Sequence, residues 1–144
     1  AGRTRHFINV FGEELMVETA ETGITAACKK TGAEIEEFTA GPVYAVDDQL
    51  GGHEWVIEFR KQPKDLQYFI EVLDNTLKNL NSDYESKRYR NYGLNAPKIS
   101  IVPPGTFHQW LKNRGKLGGQ NKVPRLFNSR EYVEDILKLV ALQD

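Results

Sequence analysis

An α+β fold is what this sequence predicts, and three observations carry it. Apolar residues recur at helical spacing twice, through Met16, Ala20, Ile24 and Cys28 and again through Leu66, Phe69, Leu73 and Leu77. Short β-rich runs lie around these two segments, the clearest being His53–Arg60. Glycine and proline punctuate the joins. The inferred order is strand, helix, strand, strand, helix, strand, then two more helices. That is a ferredoxin-like split βαβ sheet packed by helices, with a C-terminal helical extension.

Taken in order, His6–Phe11 is a short apolar strand. The helix that follows places Leu15 and Ala27 beside the Met16–Cys28 stripe, and Gly32 stands where a left-handed cap would end it. From Glu34 to Val46 the chain reads as extended, with Gly41-Pro42 marking a bulge or break. Asp47 to Gly52 is a turn, after which Trp55, Ile57 and Phe59 face one way and Glu58 and Arg60 the other. These two segments should pair as a hairpin. Pro63 suits the first turn of the second helix. Pro97–Val102 is a further strand, and Thr106 is expected to cap a short helix that turns Phe107, Trp110 and Leu111 inward. Asn128 and Glu131 have the spacing of a capping box for a last helix carrying Val133, Ile136, Leu137 and Val140.

At 144 residues the chain fits one domain, 1–144, large enough to bury a core. Its formal net charge of -1 does not fit a generally nucleic-acid-binding or membrane-surface protein. The charge is unevenly spread, however. Residues 13–48 carry nine acids and two lysines, whereas residues 109–125 carry five cations and no acid. One end should therefore be electropositive and suit an anionic partner. Cys28 is the only cysteine, so no internal disulfide can form and a reducing, cytoplasmic setting is expected. No apolar run approaches the roughly 20 residues that span a bilayer. The chain opens on Ala1 within what already reads as a motif, as a piece of a longer protein would.

Three familiar chemistries find no support. His6, His53 and His108 are far apart in sequence, and Cys28 lies on an apolar helix face, so a metal cluster is not expected. No G-x-S-x-G elbow occurs. The glycine loop is not a Walker loop, because Gln120 stands where its second glycine would be and no Lys-Ser/Thr follows.

What remains is the loop itself, Gly115 to Arg125, with three glycines, no acid, and Pro124 just after Lys122. Glycine lets backbone approach a ligand closely, and a lysine in such a loop can offer a mobile positive charge to a phosphate or carboxylate oxygen. On charge alone it is also what a solvated surface loop looks like. Its pattern, glycine-Gln120-x-Lys122-x-Pro124-Arg125, resembles the C-terminal signature of the auxin-responsive acyl-acid amido synthetases, the Gretchen Hagen three family. The opening segment, Gly2 to Gly12, is similar to the hinge motif of the wider acyl-adenylating superfamily, with Gly2, Arg3, Ile8 and Gly12 at its spacing. Arg5 and Asn9 depart from it, standing where an aspartate or lysine pivot and a lysine are usual. Between these ends, Leu80-Asn81 with Tyr84 and Arg88, and Gly105-Thr106-Phe107, resemble family patterns of a structural kind. Glu85 and Asn121 depart from expected arginine and aromatic residues, and the departures lean toward a bacterial member.

The resemblance implies a ligase that uses ATP with magnesium to adenylate a carboxylic acid and then joins it to an amino acid. The chain would be its small, mobile C-terminal lid, with residues 1–12 as hinge and first strand, closing over its own N-terminal adenylation domain. ATP, magnesium and acyl acid would be bound mainly there, and the lid alone would be inactive. Lys122 would be the adenylation lysine, with Gly119, Gln120 and Arg125 as nucleotide-binding companions. For Arg125, pairing with an acid of the first helix is an equal expectation, as orienting the loop is for Gln120. Two other readings stand beside this one. The interleaved Tyr84, Lys87, Arg88, Tyr89, Arg90 and Tyr92 could stack and grip RNA. The fold could also serve as a small-ligand regulatory module.

Overall fold

The computed structural model describes residues 7–91, 93–115 and 122–142. Two short strands, β1 (Phe7–Ile8) and β2 (Leu15–Met16), pair antiparallel and lead into helix α1 (Val17–Thr31). Strands β3 (Glu34–Val43) and β4 (Gly52–Lys61) form an antiparallel hairpin. Helices α2 (Leu66–Leu80) and α3 (Ser82–Arg88) then carry the chain across to β5 (Lys98–Val102), which lies parallel to β4. Parallel pairing requires such a crossover. Helices α4 (Thr106–Asn113) and α5 (Glu131–Leu142) follow.

The α+β class and the C-terminal helices are as expected, and one strand is not where the split βαβ plan would put it. Among the described residues the main sheet has three strands in the order β3-β4-β5, and the opening strand pairs with β2. In the ferredoxin-like plan the first strand would lie beside β4; here β5 holds that place. Among the described residues β1 is paired with the equally short β2 and adds no strand to the main sheet.

Helices cover both faces of the sheet, so β4 is buried throughout residues 52–59. Trp55, Ile57 and Phe59 pack with Ile24 and Ala27 of α1 and with Phe69, Leu73 and Leu77 of α2. Val56 on the opposite side joins Val102, Phe107, Trp110, Val133 and Ile136 in a second cluster under α4 and α5. The predicted alternation along β4 is real, but its second face is covered as well.

Local signals resolve as follows. Gly32 ends α1 at φ 75°, its N–H bonded to the Cys28 carbonyl at 2.9 Å, the left-handed cap that glycine favours. Pro63 lies ahead of α2, whose cap is the Asp65 carboxylate, accepting from the Tyr68 N–H at 3.2 Å. No bulge occurs at Gly41-Pro42; the register shifts are at the start of β3, between Glu34 and Glu37. Gly41 serves packing instead, since a Cβ there would stand 2.9 Å from the Ser129 carbonyl oxygen. Thr106 is not the side-chain cap of α4. Its hydroxyl donates to the Pro103 carbonyl, and the Glu58 carboxylate of β4 accepts from the N–H groups of Gly105 (2.9 Å) and Phe107 (3.1 Å). Asn128 likewise caps nothing; it accepts from the Asn9 N–H at 2.8 Å, and Ser129 Oγ accepts from Glu131 at the start of α5.

Candidate functional site

The segment that leads out of the glycine loop is held along the outer edge of β3. Ala40 donates its N–H to the Arg125 carbonyl at 2.9 Å, and Phe127 returns a bond to the Ala40 carbonyl at 3.1 Å. This places Leu126 in a parallel bridge with Ala40. Just upstream, the Thr39 hydroxyl donates to the Pro124 carbonyl at 2.6 Å, and Val123 is buried in the cluster beneath α4 and α5. Lys122 is the next residue back and is exposed. The backbone is therefore fixed up to the point where the lysine emerges.

Arg125 faces the acidic half of the chain. Its guanidinium pairs with Glu37 of β3, stands 3.6 Å from Glu21 of α1, and lies 4.7 Å from the centre of the Phe38 ring. Burial pushes the Glu37 carboxyl above its ordinary range, an effect that Arg125 offsets only in part and Glu36 adds to. Arg125 thus makes the expected pairing with an acid of the first helix and adds a second acid from β3. Gly119 and Gln120 lie outside the described residues.

A shallow cleft of about 280 Å³ lies beside this anchor, lined by Glu36, Glu37, Glu58, Phe107, His108, Leu111 and Val123. Among the described residues no three His, Cys, Asp or Glu side chains stand together to hold a metal ion. Cys28 is half-buried, and burial pushes its thiol up, away from the thiolate a nucleophile needs.

The structural pattern around Asn81 is now explicit. Asn81 caps α3 by accepting from the Tyr84 N–H at 2.9 Å, and its amide donates to the Glu13 carbonyl at 2.8 Å. Tyr84 and Arg88 are buried on Asp74: the Tyr84 hydroxyl at 2.6 Å, and Arg88 through Nε (2.9 Å) and Nη2 (2.6 Å). Neither side chain is presented for stacking on a nucleobase, which removes the centre of the RNA reading. Sequence reasoning missed Glu37, Thr39 and Glu58 as anchors. Glu37 was legible as an acid opposite the cationic loop; Thr39 and Glu58 had no local signal, because their partners are 85 and 49 residues away.

The sequence profile of the GH3 family C-terminal domain matches residues 18–131. The chain belongs to that family. The match begins in α1 and ends at the first residue of α5, so it includes β3, the lysine segment and the Asp74 network. In fold, the GH3 C-terminal chain is similar to a solved GH3.15 acyl acid amido synthetase, with a TM-score of 0.72 over 96% of this chain at 15% identity. A second structure, AtGH3.15 acyl acid amido synthetase in complex with 2,4-DB, aligns at a TM-score of 0.68, 96% coverage and 17% identity. The chain spans 26% and 25% of the lengths of those two proteins. No curated protein matches it in sequence.

Proposed function

We propose that the chain is the C-terminal lid domain of an ATP-dependent acyl-acid amido synthetase, and that Lys122 is the cation it brings to the adenylation step. The observation that carries this reading is the placement of Lys122. It is exposed at the end of a backbone segment locked to β3, within a family match that covers the locked segment. As a carboxylate attacks the α-phosphate of ATP, negative charge builds on the phosphoryl and bridging oxygens. A lysine on a rigid stem, delivered by domain closure, stabilises that charge while water is excluded. Gly118, Gly119 and Gln120 would let the loop approach the nucleotide. Arg125, committed to Glu37 and Glu21, acts as the stem's anchor. ATP, magnesium, the acyl acid and the amino acid would be held mainly by an N-terminal domain of the same enzyme, and the isolated lid would be inactive. The half-buried, unpaired Cys28 suits a reducing, cytoplasmic setting. Among the described residues no helix is long and apolar enough to cross a membrane.

The test is ATP–pyrophosphate exchange by the intact synthetase across a panel of acyl acids, with and without Lys122→Ala. Loss of one charge-stabilising contact costs about 10²–10³ in rate, so acid-dependent exchange should fall by that factor. Amide formation from supplied acyl-adenylate should change little. Equal loss in both half-reactions would remove Lys122 from this role. No exchange with any acid would sink the synthetase reading.

A further inference from the structure

We propose that Thr39, in the middle of β3, is a positioning residue for Lys122: its hydroxyl fixes the Pro124 carbonyl and thereby sets where the lysine leaves the fold. This rests on the adenylation role given to Lys122 above. Thr39 lies opposite Val56 in the β3–β4 register, on the face covered by α4 and α5, and it is fully buried. A valine would satisfy every packing demand of such a position. Among the described residues the hydroxyl there has one partner, the Pro124 oxygen at 2.6 Å. Proline has no N–H, so this residue cannot anchor itself through its own donor. Its carbonyl is the last backbone group before the strand-like pairing of Arg125 and Phe127 with Ala40 begins. The Thr39 bond thus extends the anchor by one residue, toward Val123, whose side chain is buried, and Lys122, whose side chain is not.

Without that bond the part-buried Pro124 carbonyl is left beside a methyl group, and relief comes by rotating the Pro124–Arg125 peptide, which carries Pro124, Val123 and Lys122 with it. The lysine is then displaced while the sheet, the helices and the Arg125 clamp stay in place. A misplacement near 1 Å can cost about 10² in rate. Thr39→Val in the intact synthetase should therefore slow ATP–pyrophosphate exchange by about 10- to 100-fold and leave amide formation from supplied acyl-adenylate unchanged. Thr39→Ser, which keeps the hydroxyl, should restore the exchange rate.

The deciding measurement is the double variant. If Thr39 acts through Lys122, Thr39→Val should cost nothing further once Lys122→Ala is present, because residues that share one function are non-additive. Full activity of Thr39→Val, or losses that multiply in the double variant, would overturn the positioning role while leaving the lysine reading intact. A fall in both half-reactions together with a lowered melting temperature would assign Thr39 to stability alone. Full exchange activity of Lys122→Ala by itself would sink the underlying reading, and the positioning role with it. Should Thr39→Val fail to fold, Thr39→Ala carries the same cycle.

Discussion

Asp74 shows how single residues hold a charge inside this fold. It sits on the buried face of α2 at 6% exposure, with Arg88 and Tyr84 bonded to its two oxygens and Lys78 at 3.5 Å. Burial by itself raises the carboxyl, but the hydrogen bonds from Arg88 and Tyr84 outweigh it and hold the group below the ordinary carboxylate range. Burial, with the neighbouring Asp74 charge, pushes the Tyr84 hydroxyl far up, so it stays a donor. Breaking a buried pair by removing one partner costs about 3–5 kcal/mol, and Asp74→Asn should lose that much in urea denaturation at neutral pH. The sign with pH follows from the depressed value. The stabilisation is complete above the unfolded carboxylate pKa of about 3.9 and is lost as pH falls through the folded value. The gap between wild type and Asp74→Asn should therefore shrink on acidification below about pH 4. A gap that is constant with pH would mean the pair contributes nothing through its charge.

At the scale of elements, the cap of α4 comes from another part of the chain. Glu58 reaches from β4 to take the N–H groups of Gly105 and Phe107, so a sheet residue supplies what Thr106 was expected to supply. A lost helix cap costs about 0.5–2 kcal/mol, and Glu58→Ala should destabilise the protein in that range. Its distinguishing mark is local. Hydrogen exchange should speed up at the amides of Gly105 and Phe107 before it changes in α2. Exchange that rises evenly across the molecule would show that Glu58 matters only to the global fold. The cap explains why Glu58 is tolerated on a covered sheet face, and it ties α4 directly to the strand that organises both cores.

For the whole molecule, a close joint forms where the layer of α4 and α5 meets the sheet. A methyl group at Gly41 would stand 2.9 Å from the Ser129 carbonyl oxygen and 3.2 Å from Val133 Cγ2, so backbone and α5 would both have to move. Overpacking of this kind costs about 1–3 kcal/mol. Gly41→Ala should lower the melting temperature accordingly, and exchange in α5 should rise more than in α1 or α2. A variant as stable as the wild type would mean α5 is loosely seated. Arg130 reinforces the same joint, bonding the Pro42 carbonyl and Glu54 at 3.0 Å each. Because the lysine segment runs between α4 and α5, the seating of this layer also bears on the proposed lid.

What the sequence determined by itself is most of the elements and the family. Helix α3 was not foreseen, nor was β2, which takes Leu15 and Met16 out of the predicted first helix because they pair with β1. Helical and strand periodicities are local properties of spacing, and the Gly32 cap is a local property of one residue, so α1, α2, β4 and β5 were all legible. The Gln120–Arg125 pattern pointed to the family that the profile match then gave. The tertiary structure decided everything that depends on distant partners. Only packing shows that β4 is covered on both faces, that β1 pairs with β2, and that Glu58 caps a helix. The same holds for the Pro124–Arg125 stem, which is held by Thr39, Glu37 and Glu21. Periodicity reports which way a side chain points; what it meets there is set by segments that the chain brings back from dozens of residues away.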